Sequence, residues 1–273
     1  MFSWSSTFFF LWLISIPSFQ CDDPLQPTLQ PLIDEPALLL KEKKLLVIAD
    51  LHIGIENELR ENGLQVPSQT RIMEERLISI VTKNKVNDII FLGDIKHTIP
   101  SSTYQERTDV KNFLAEIQSY CTLHVLPGNH DGNIDRLLTP GIQMHPSDGY
   151  VFEGIGFTHG HRKPSLEIMQ CDQVIIGHSH PTVMLMDRLG YRTFEQCWVR
   201  GPILSDVLKE KYPNSPTSQI LLMPAFNPLC GGTAVNQDTL LGPFRSLIDV
   251  DNADLYLLDG SSLGKVKDLK DSS

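Results

Sequence analysis

Five short apolar runs in this chain each end in a cluster of Asp, Asn or His. They are residues 45–52 (LLVIADLH), 88–94 (DIIFLGD), 123–131 (LHVLPGNHD), 154–160 (GIGFTHG) and 173–180 (QVIIGHSH). Runs of this length read as buried strands. In open α/β sheets, the residues just past the carboxyl ends of the strands converge in space. Two aspartates, one asparagine and at least four histidines therefore meet at one end of a sheet. That is the donor set for a pair of divalent metal ions, and it restricts the chain to folds that gather five strand ends.

The local spacing supports the same chemistry. Asp50 and His52 are two apart in an extended segment, so their side chains share a face and can grip one ion. Gly93 lets the backbone approach closely before Asp94, and an aspartate placed there can bridge two metals. Gly128-Asn129 and Gly177-His178 repeat the device, and His178 and His180 are again two apart. Mixed His, Asp and Asn donors suit Mn²⁺, Fe²⁺, Ni²⁺ or Zn²⁺ rather than Ca²⁺.

Charge narrows the partners. With 23 basic and 33 acidic residues the net charge is −10, which argues against a broad basic face for nucleic acid. Phosphate substrates stay open, because bound cations dominate their own neighbourhood. The five cysteines, 21, 121, 171, 197 and 230, are an odd number without a C-x-x-C pair. They read as free thiols of a reducing, cytoplasmic compartment rather than a disulfide framework. Residues 1–20 carry no charge, and 7–16 (TFFFLWLISI) resembles the apolar core of a signal peptide, so export is the alternative. That run is shorter than the ~20 residues of a membrane span.

The pattern along the chain predicts a leader or linker over 1–31, one domain over 32–262 and a polar tail over 263–273. Helices are predicted over 68–85, with Ile72, Met73, Leu77, Ile80 and Val81 as its apolar positions, and over 103–120. In the second helix Thr103 and Glu106 fit a capping box, and Val110, Phe113, Leu114 and Ile117 form the apolar stripe. Strands are predicted over 45–49, 88–92, 122–126, 150–158, 173–176, 182–187, 192–199, 219–223 and 254–258, with a helical turn at 207–211. The order suits a layered α/β domain with two packed sheets flanked by helices.

The motifs together resemble the calcineurin-like metallophosphoesterase superfamily over residues 45–233. They are Asp50-Leu51-His52, Gly93-Asp94, Gly128-Asn129-His130-Asp131, His159-Gly160 and Gly177-His178-Ser179-His180. Finer features resemble archaeal SbcD-related phosphoesterases and bacterial phosphoesterases associated with a DNA ligase and helicase. These features are ADLHIGIE (49–56), GDIKH (93–97), THGHRKP (158–164) and PAFNPLCGGT (224–233).

The resemblance implies a four-layer α-β-β-α sandwich with two mixed sheets. It gives Asp50, His52 and His180 to one ion and Asn129, His159 and His178 to the other, with Asp94 bridging and Mn²⁺ the preferred metal. It further implies phosphodiester hydrolysis by a hydroxide held between the ions. His130 assists the leaving group and is oriented by Asp131. The substrate class it suggests is DNA, RNA or a nucleotide, and a helicase or ATPase partner follows by analogy alone. A phosphomonoesterase, a nucleotide-sugar pyrophosphohydrolase and a non-catalytic scaffold are the rival readings. The chain departs from the commonest pattern at His97, where an acidic or amide residue is usual.

Other residues read more plainly. His124 and His145 are expected to be structural, and His161 to line the site without ligating. Arg162 and Lys163 either hold a phosphodiester or belong to a solvated loop. Asn227 and its glycine-rich loop either border the cleft or pack as a tight turn.

Overall fold

The computed structural model describes residues 28–100 and 102–270. The leader reading of residues 1–20, its apolar run 7–16 and Cys21 lie outside the described residues. No helix among the described residues is long and apolar enough to cross a membrane.

The described residues begin with strands β1 (Leu29–Pro31), β2 (Ala37–Leu40) and β3 (Leu45–Ile48), then helices α1 (Ile55–Glu61) and α2 (Thr70–Asn84). Strand β4 (Asp88–Leu92), helix α3 (Tyr104–Gln118) and strands β5 (Thr122–Leu126) and β6 (Gln143–Met144) follow. These six strands form one sheet in the order β1-β2-β3-β4-β5-β6. Strands β3 to β6 run parallel, and β1 and β2 are antiparallel additions at one edge.

The second half supplies β7 (Tyr150–Phe152), β8 (Ile155–Thr158), β9 (Gln173–Ile176), β10 (Pro181–Met186) and β11 (Arg192–Pro202). After α4 (Ser205–Lys211) come β12 (Gln219–Leu222), β13 (Thr233–Ala234), β14 (Asp254–Leu257), β15 (Ser262–Lys265) and α5 (Val266–Lys270). Nine strands make a mixed sheet in the order β13-β10-β11-β12-β9-β8-β7, with β14 and β15 joined through β11. Strands β8, β9 and β12 are parallel neighbours, and they carry His159 and His178 just past their ends.

Alternation along each strand decides the layers. Leu46 and Ile48 of β3, with Ile89 and Phe91 of β4, pack outward against Met73, Leu77, Val110 and Phe113 of α2 and α3. Their neighbours Leu45, Val47, Ile90 and Leu92 point the other way, onto Phe157, Ile175, Trp198 and Leu221 of the second sheet. The far face of that sheet buries Val174, Ile176, Val199 and Ile220 under Phe244, Leu247 and Ile248. The result is a mixed α/β sandwich of two sheets, as the motif resemblance implies. Its fourth layer is thin, because only the short α4 and α5 and irregular segments cover the second sheet.

Several local expectations are corrected. Residues 150–158 form a hairpin of two strands, because Glu153 and Gly154 turn the chain at φ +52° and +76°. Ile72 lies on the solvent side of α2 at 53% exposure. Residues 29–31 of the expected leader pair with β2. Of the expected tail, residues 263–265 belong to β15, which pairs with β14, and Val266 at the start of α5 is completely buried. The capping box at α3 is half formed: Thr103 caps the Glu106 NH at 3.1 Å, but the Glu106 carboxylate turns elsewhere. It accepts from the NH groups of His97 (2.8 Å) and Thr98 (2.7 Å), tying α3 to the loop beyond β4.

Candidate metal centre

All seven donors inferred from the motifs converge at the carboxyl ends of β3, β4, β5, β8 and β9. Asp50, Asp94 and His159 are buried at the base, His52 stands beside them, and Asn129 opens to solvent at the mouth. Asp94 Oδ2 lies 3.2 Å from His159 Nε2 and 3.6 Å from His52 Nε2, so one carboxylate faces both halves of the cluster. Asp50 Oδ1 lies 3.2 Å from His180 Nε2, and His52 Nε2 is 3.4 Å from His180 Nε2. Asn129 Oδ1 is 3.2 Å from His159 Nε2. Asp50, His52 and Asp94 form one compact donor group, and Asp94, His159 and His178 form another.

The backbone that aims these groups is unusual. Asp50, His52, Asp94, His178 and His180 all have positive φ, between +40° and +67°. Non-glycine residues take this left-handed region rarely and at a cost of order 1–3 kcal/mol each. The strain persists because neighbours fix it: His52 NH bonds Asp94 O at 2.8 Å, and Asp50 NH bonds Gly93 O at 3.2 Å. Gly128 and Gly93 make room, since a β-carbon on the first would strike Asp94 and on the second His159.

Hydrogen bonds behind the cluster set the imidazole tautomers. His159 Nδ1 donates to Leu92 O at 2.8 Å and His180 Nδ1 to Gly231 O at 2.9 Å, leaving both Nε2 atoms turned inward. His52 is set through a relay. Glu58 Oε2 lies 2.6 Å from His97 Nε2, and His97 Nδ1 lies 3.2 Å from His52 Nδ1. With Glu58 accepting from His97, His97 accepts from His52, and His52 Nε2 keeps its lone pair for the centre.

Charge balance fits cations as well. Burial opposes charge on His159, but Asp94 and Asp50 outweigh it and hold the pKa up at about 9. His180 is likewise raised, with Asp50 overcoming burial. Burial would raise both carboxyls, yet His180 and His159 hold Asp50 low, and His159 and His52 hold Asp94 low. Burial pushes His52 down to about 3, and burial with neighbouring His159 pushes His178 down to about 4. Protons on His159 and His180 thus sit where cations would bind, beside neutral imidazoles and ionised carboxylates.

Asp131 does not orient His130. Its buried carboxylate accepts from the NH groups of Ile95 (2.9 Å), Lys96 (3.2 Å) and Gly128 (2.9 Å), which locks two strand-end loops together. Burial and the Asp94 charge push its pKa up to about 6. His130 Nδ1 instead contacts the His97 carbonyl, and its ring stacks on His97 at 5.5 Å and meets His52 edge-on at 4.7 Å.

The glycine-rich loop after β12 belongs to the site. Besides Gly231 O, Asn227 Nδ2 donates to Leu51 O at 2.8 Å. Cys230 Sγ approaches His52 and His180 within ligand-cluster distance, which no spacing in the sequence signals. His161 lines a cleft of about 530 Å³ with Asn129 and Arg162, and its Nδ1 is buried without a partner among the described residues. His124 and His145 bond each other at 2.9 Å beneath Tyr150, away from the centre.

A family profile of calcineurin-like phosphoesterases matches residues 43–182, about half of the chain. The chain belongs to that family. The nuclease MPE of Pseudomonas putida shares the fold, with 21% identity, 85% of this chain and 93% of that one covered, and a TM-score of 0.56. A phosphoesterase of E. coli, Yfce, is a more distant likeness, at 16% identity and a TM-score of 0.38 over 81% of this chain and 97% of that one. The family is built around two metal ions, and the donor cluster described above fits that requirement. The chain is therefore a metal-dependent ester hydrolase acting on phosphoesters.

Proposed function

We propose that this hydrolase cleaves phosphodiesters of nucleic acid or nucleotides, using two divalent ions with Mn²⁺ preferred. The observation that carries the reading is the convergence of seven donors: five in two groups that share Asp94, with His180 beside Asp50 and His52 and Asn129 beside His159. Asp50, His52 and His180 would hold one ion, Asn129, His159 and His178 the other, and Asp94 both. When bound, the ions supply Lewis-acid stabilisation of phosphoryl oxygens and a nucleophile at neutral pH.

The chain's own groups do the rest. Leu92 O, Gly231 O and the Glu58–His97 relay keep three imidazoles in the ligating tautomer. The His97 carbonyl takes the Nδ1 side of His130, so Nε2 is the atom that can hand a proton to the leaving alkoxide. General-acid assistance of this kind contributes typically about 10²–10⁴-fold. Asp131 acts by fixing the loops that carry Asp94 and His130, and it does not touch substrate. The fold shared with a nuclease supports a diester over a monoester substrate.

The test is hydrolysis of bis-p-nitrophenyl phosphate, p-nitrophenyl phosphate and single-stranded DNA with Mn²⁺, before and after chelation. Chelator-sensitive cleavage of the diesters is the expected result. Turnover of p-nitrophenyl phosphate alone would assign a phosphomonoesterase instead.

A further inference from the structure

Beside the centre lies a second, smaller cleft of about 160 Å³, walled by Lys96, Arg107 and Arg136 with Ser102 and Asn133. At ~30 Å³ per water it has room for about five waters, which suits one phosphate group and not a nucleoside. No carboxylate among the described residues lines it, although the chain carries a net charge of −10. The Arg136 side chain has no hydrogen bond or ion pair among the described residues, and Arg107 spends one nitrogen on Ser102 O at 2.7 Å.

Lys96 is the decisive residue. It is 1% exposed, yet Nζ has a single partner, Thr98 O at 2.8 Å, and no carboxylate within ion-pair distance among the described residues. Of the buried Glu106 carboxylate, Oε1 accepts from the NH groups of His97 and Thr98, and Oε2 has no hydrogen-bond partner among the described residues and makes no ion pair with Lys96. A buried ammonium with no carboxylate in direct contact is costly, and a phosphate entering the cleft would supply that contact. The position is informative too: Lys96 follows Asp94 by two residues, a chain reach of at most ~7 Å. Gly132 and Asn133 also line the larger cleft that runs to Asn129 and Arg162, so the two clefts share a wall.

We propose that this cleft is a second phosphate subsite, which holds a phosphate adjacent to the scissile one in a single-stranded nucleic acid. The proposal rests on the phosphodiesterase reading and specifies its substrate as a chain with several phosphates. Lys96 supplies the buried charge, Arg107 and Arg136 the outer contacts, and Arg162 faces the strand on the far side.

The test uses the full chain in chelator, where cleavage is absent, and measures binding of a fluorescein-labelled dodecathymidylate by anisotropy over a range of salt. Replacing both exposed arginines, R107A/R136A, weakens binding about tenfold at low salt. It also lowers the slope of log K against log salt by about 1.4, the value for two phosphate contacts on a single strand. The conservative pair R107K/R136K keeps most of the slope, since point charges suffice there. An unchanged Kd and slope in the alanine pair overturns the subsite. So does loss confined to a nucleoside diphosphate competitor, which would make the cleft a nucleotide site. Failure of the hydrolase reading shows separately, as no Mn²⁺-stimulated cleavage of bis-p-nitrophenyl phosphate by the unaltered protein.

Discussion

Gly128 is the most direct lever on the centre that is not itself a ligand. A β-carbon built there lies 2.5 Å from the Asp94 backbone nitrogen and closer still to Asp94 Oδ1. Ordinary contact begins at 3.4 Å, so the deficit is about 0.9 Å. The backbone of Asp94 cannot yield by rotamer change, because Asp94 O is bonded to His52 NH at 2.8 Å. Gly128 is also held, its NH donating to Asp131 Oδ2 at 2.9 Å. Either the bridging carboxylate or the loop with Asn129 and His130 must move by nearly that distance. Displacements of ~1 Å in a reacting constellation cost about 10²-fold, so G128A should lower kcat/KM on bis-p-nitrophenyl phosphate about a hundredfold, or about 2.7 kcal/mol. Overpacking should also destabilise the metal-free protein by about 1–3 kcal/mol. Mn²⁺ titration of the activity, paired with thermal melts in chelator, reads both effects. Full activity in G128A would refute the reasoning, since the Asp94 turn and the Asn129 loop could not then be packed as described.

Other outcomes follow from the same geometry. D94A should lose hydrolysis below detection and bind Mn²⁺ far more weakly, as isothermal titration would show, because both donor groups share that carboxylate. Mn²⁺ at a hundredfold excess over Kd should stabilise the protein by about 2.7 kcal/mol, seen as a raised melting temperature that chelator reverses. His159 is held at about 9, above its ordinary 6.5. Its stabilising charge in the metal-free protein is thus complete below 6.5 and lost as pH rises through about 9. Mn²⁺ uptake at pH 7 should accordingly release protons, making titration heats depend on the buffer, and the dependence should fade by pH 10. E58A should weaken Mn²⁺ binding by about tenfold, the lower end for residues that orient a ligand, while leaving the melting temperature in chelator unchanged.

What was legible in the sequence was whatever depends on neighbours along the chain. The donors sit just past strands whose apolar runs announce them, so residues 45–52, 88–94, 123–131, 154–160 and 173–180 could be placed without coordinates. Thr103 as a helix cap was legible for the same reason. Pairings between distant segments were not. Glu106 has the spacing of a capping box, yet its carboxylate serves His97 and Thr98. Asp131 follows His130 directly, yet it bonds backbone around Asp94 rather than the neighbouring ring. Strands β1 and β15 are short edge strands of weak periodicity, and only the sheet beside them determines that they pair.

The same distinction explains how the centre is held. Five of its seven donors lie on left-handed backbone, a conformation that Asp and His adopt more readily than most residues but that is still uncommon for them. Such turns project each side chain steeply off its strand end, which is how five strands in two sheets reach one point. Each costs free energy locally, so the site needs cross-links that no single loop provides. Those are the Asp131 carboxylate between the β4 and β5 loops, His159 on Leu92 O between the sheets, and His180 on Gly231 O. If this account is right, D131N should damage metal binding although Asp131 touches neither ion nor substrate. An amide keeps the shape but can offer only one oxygen to NH groups that now use both, so a buried donor loses its partner at about 1–3 kcal/mol. Unaltered Mn²⁺ affinity in D131N would show that the strained turns stand without it.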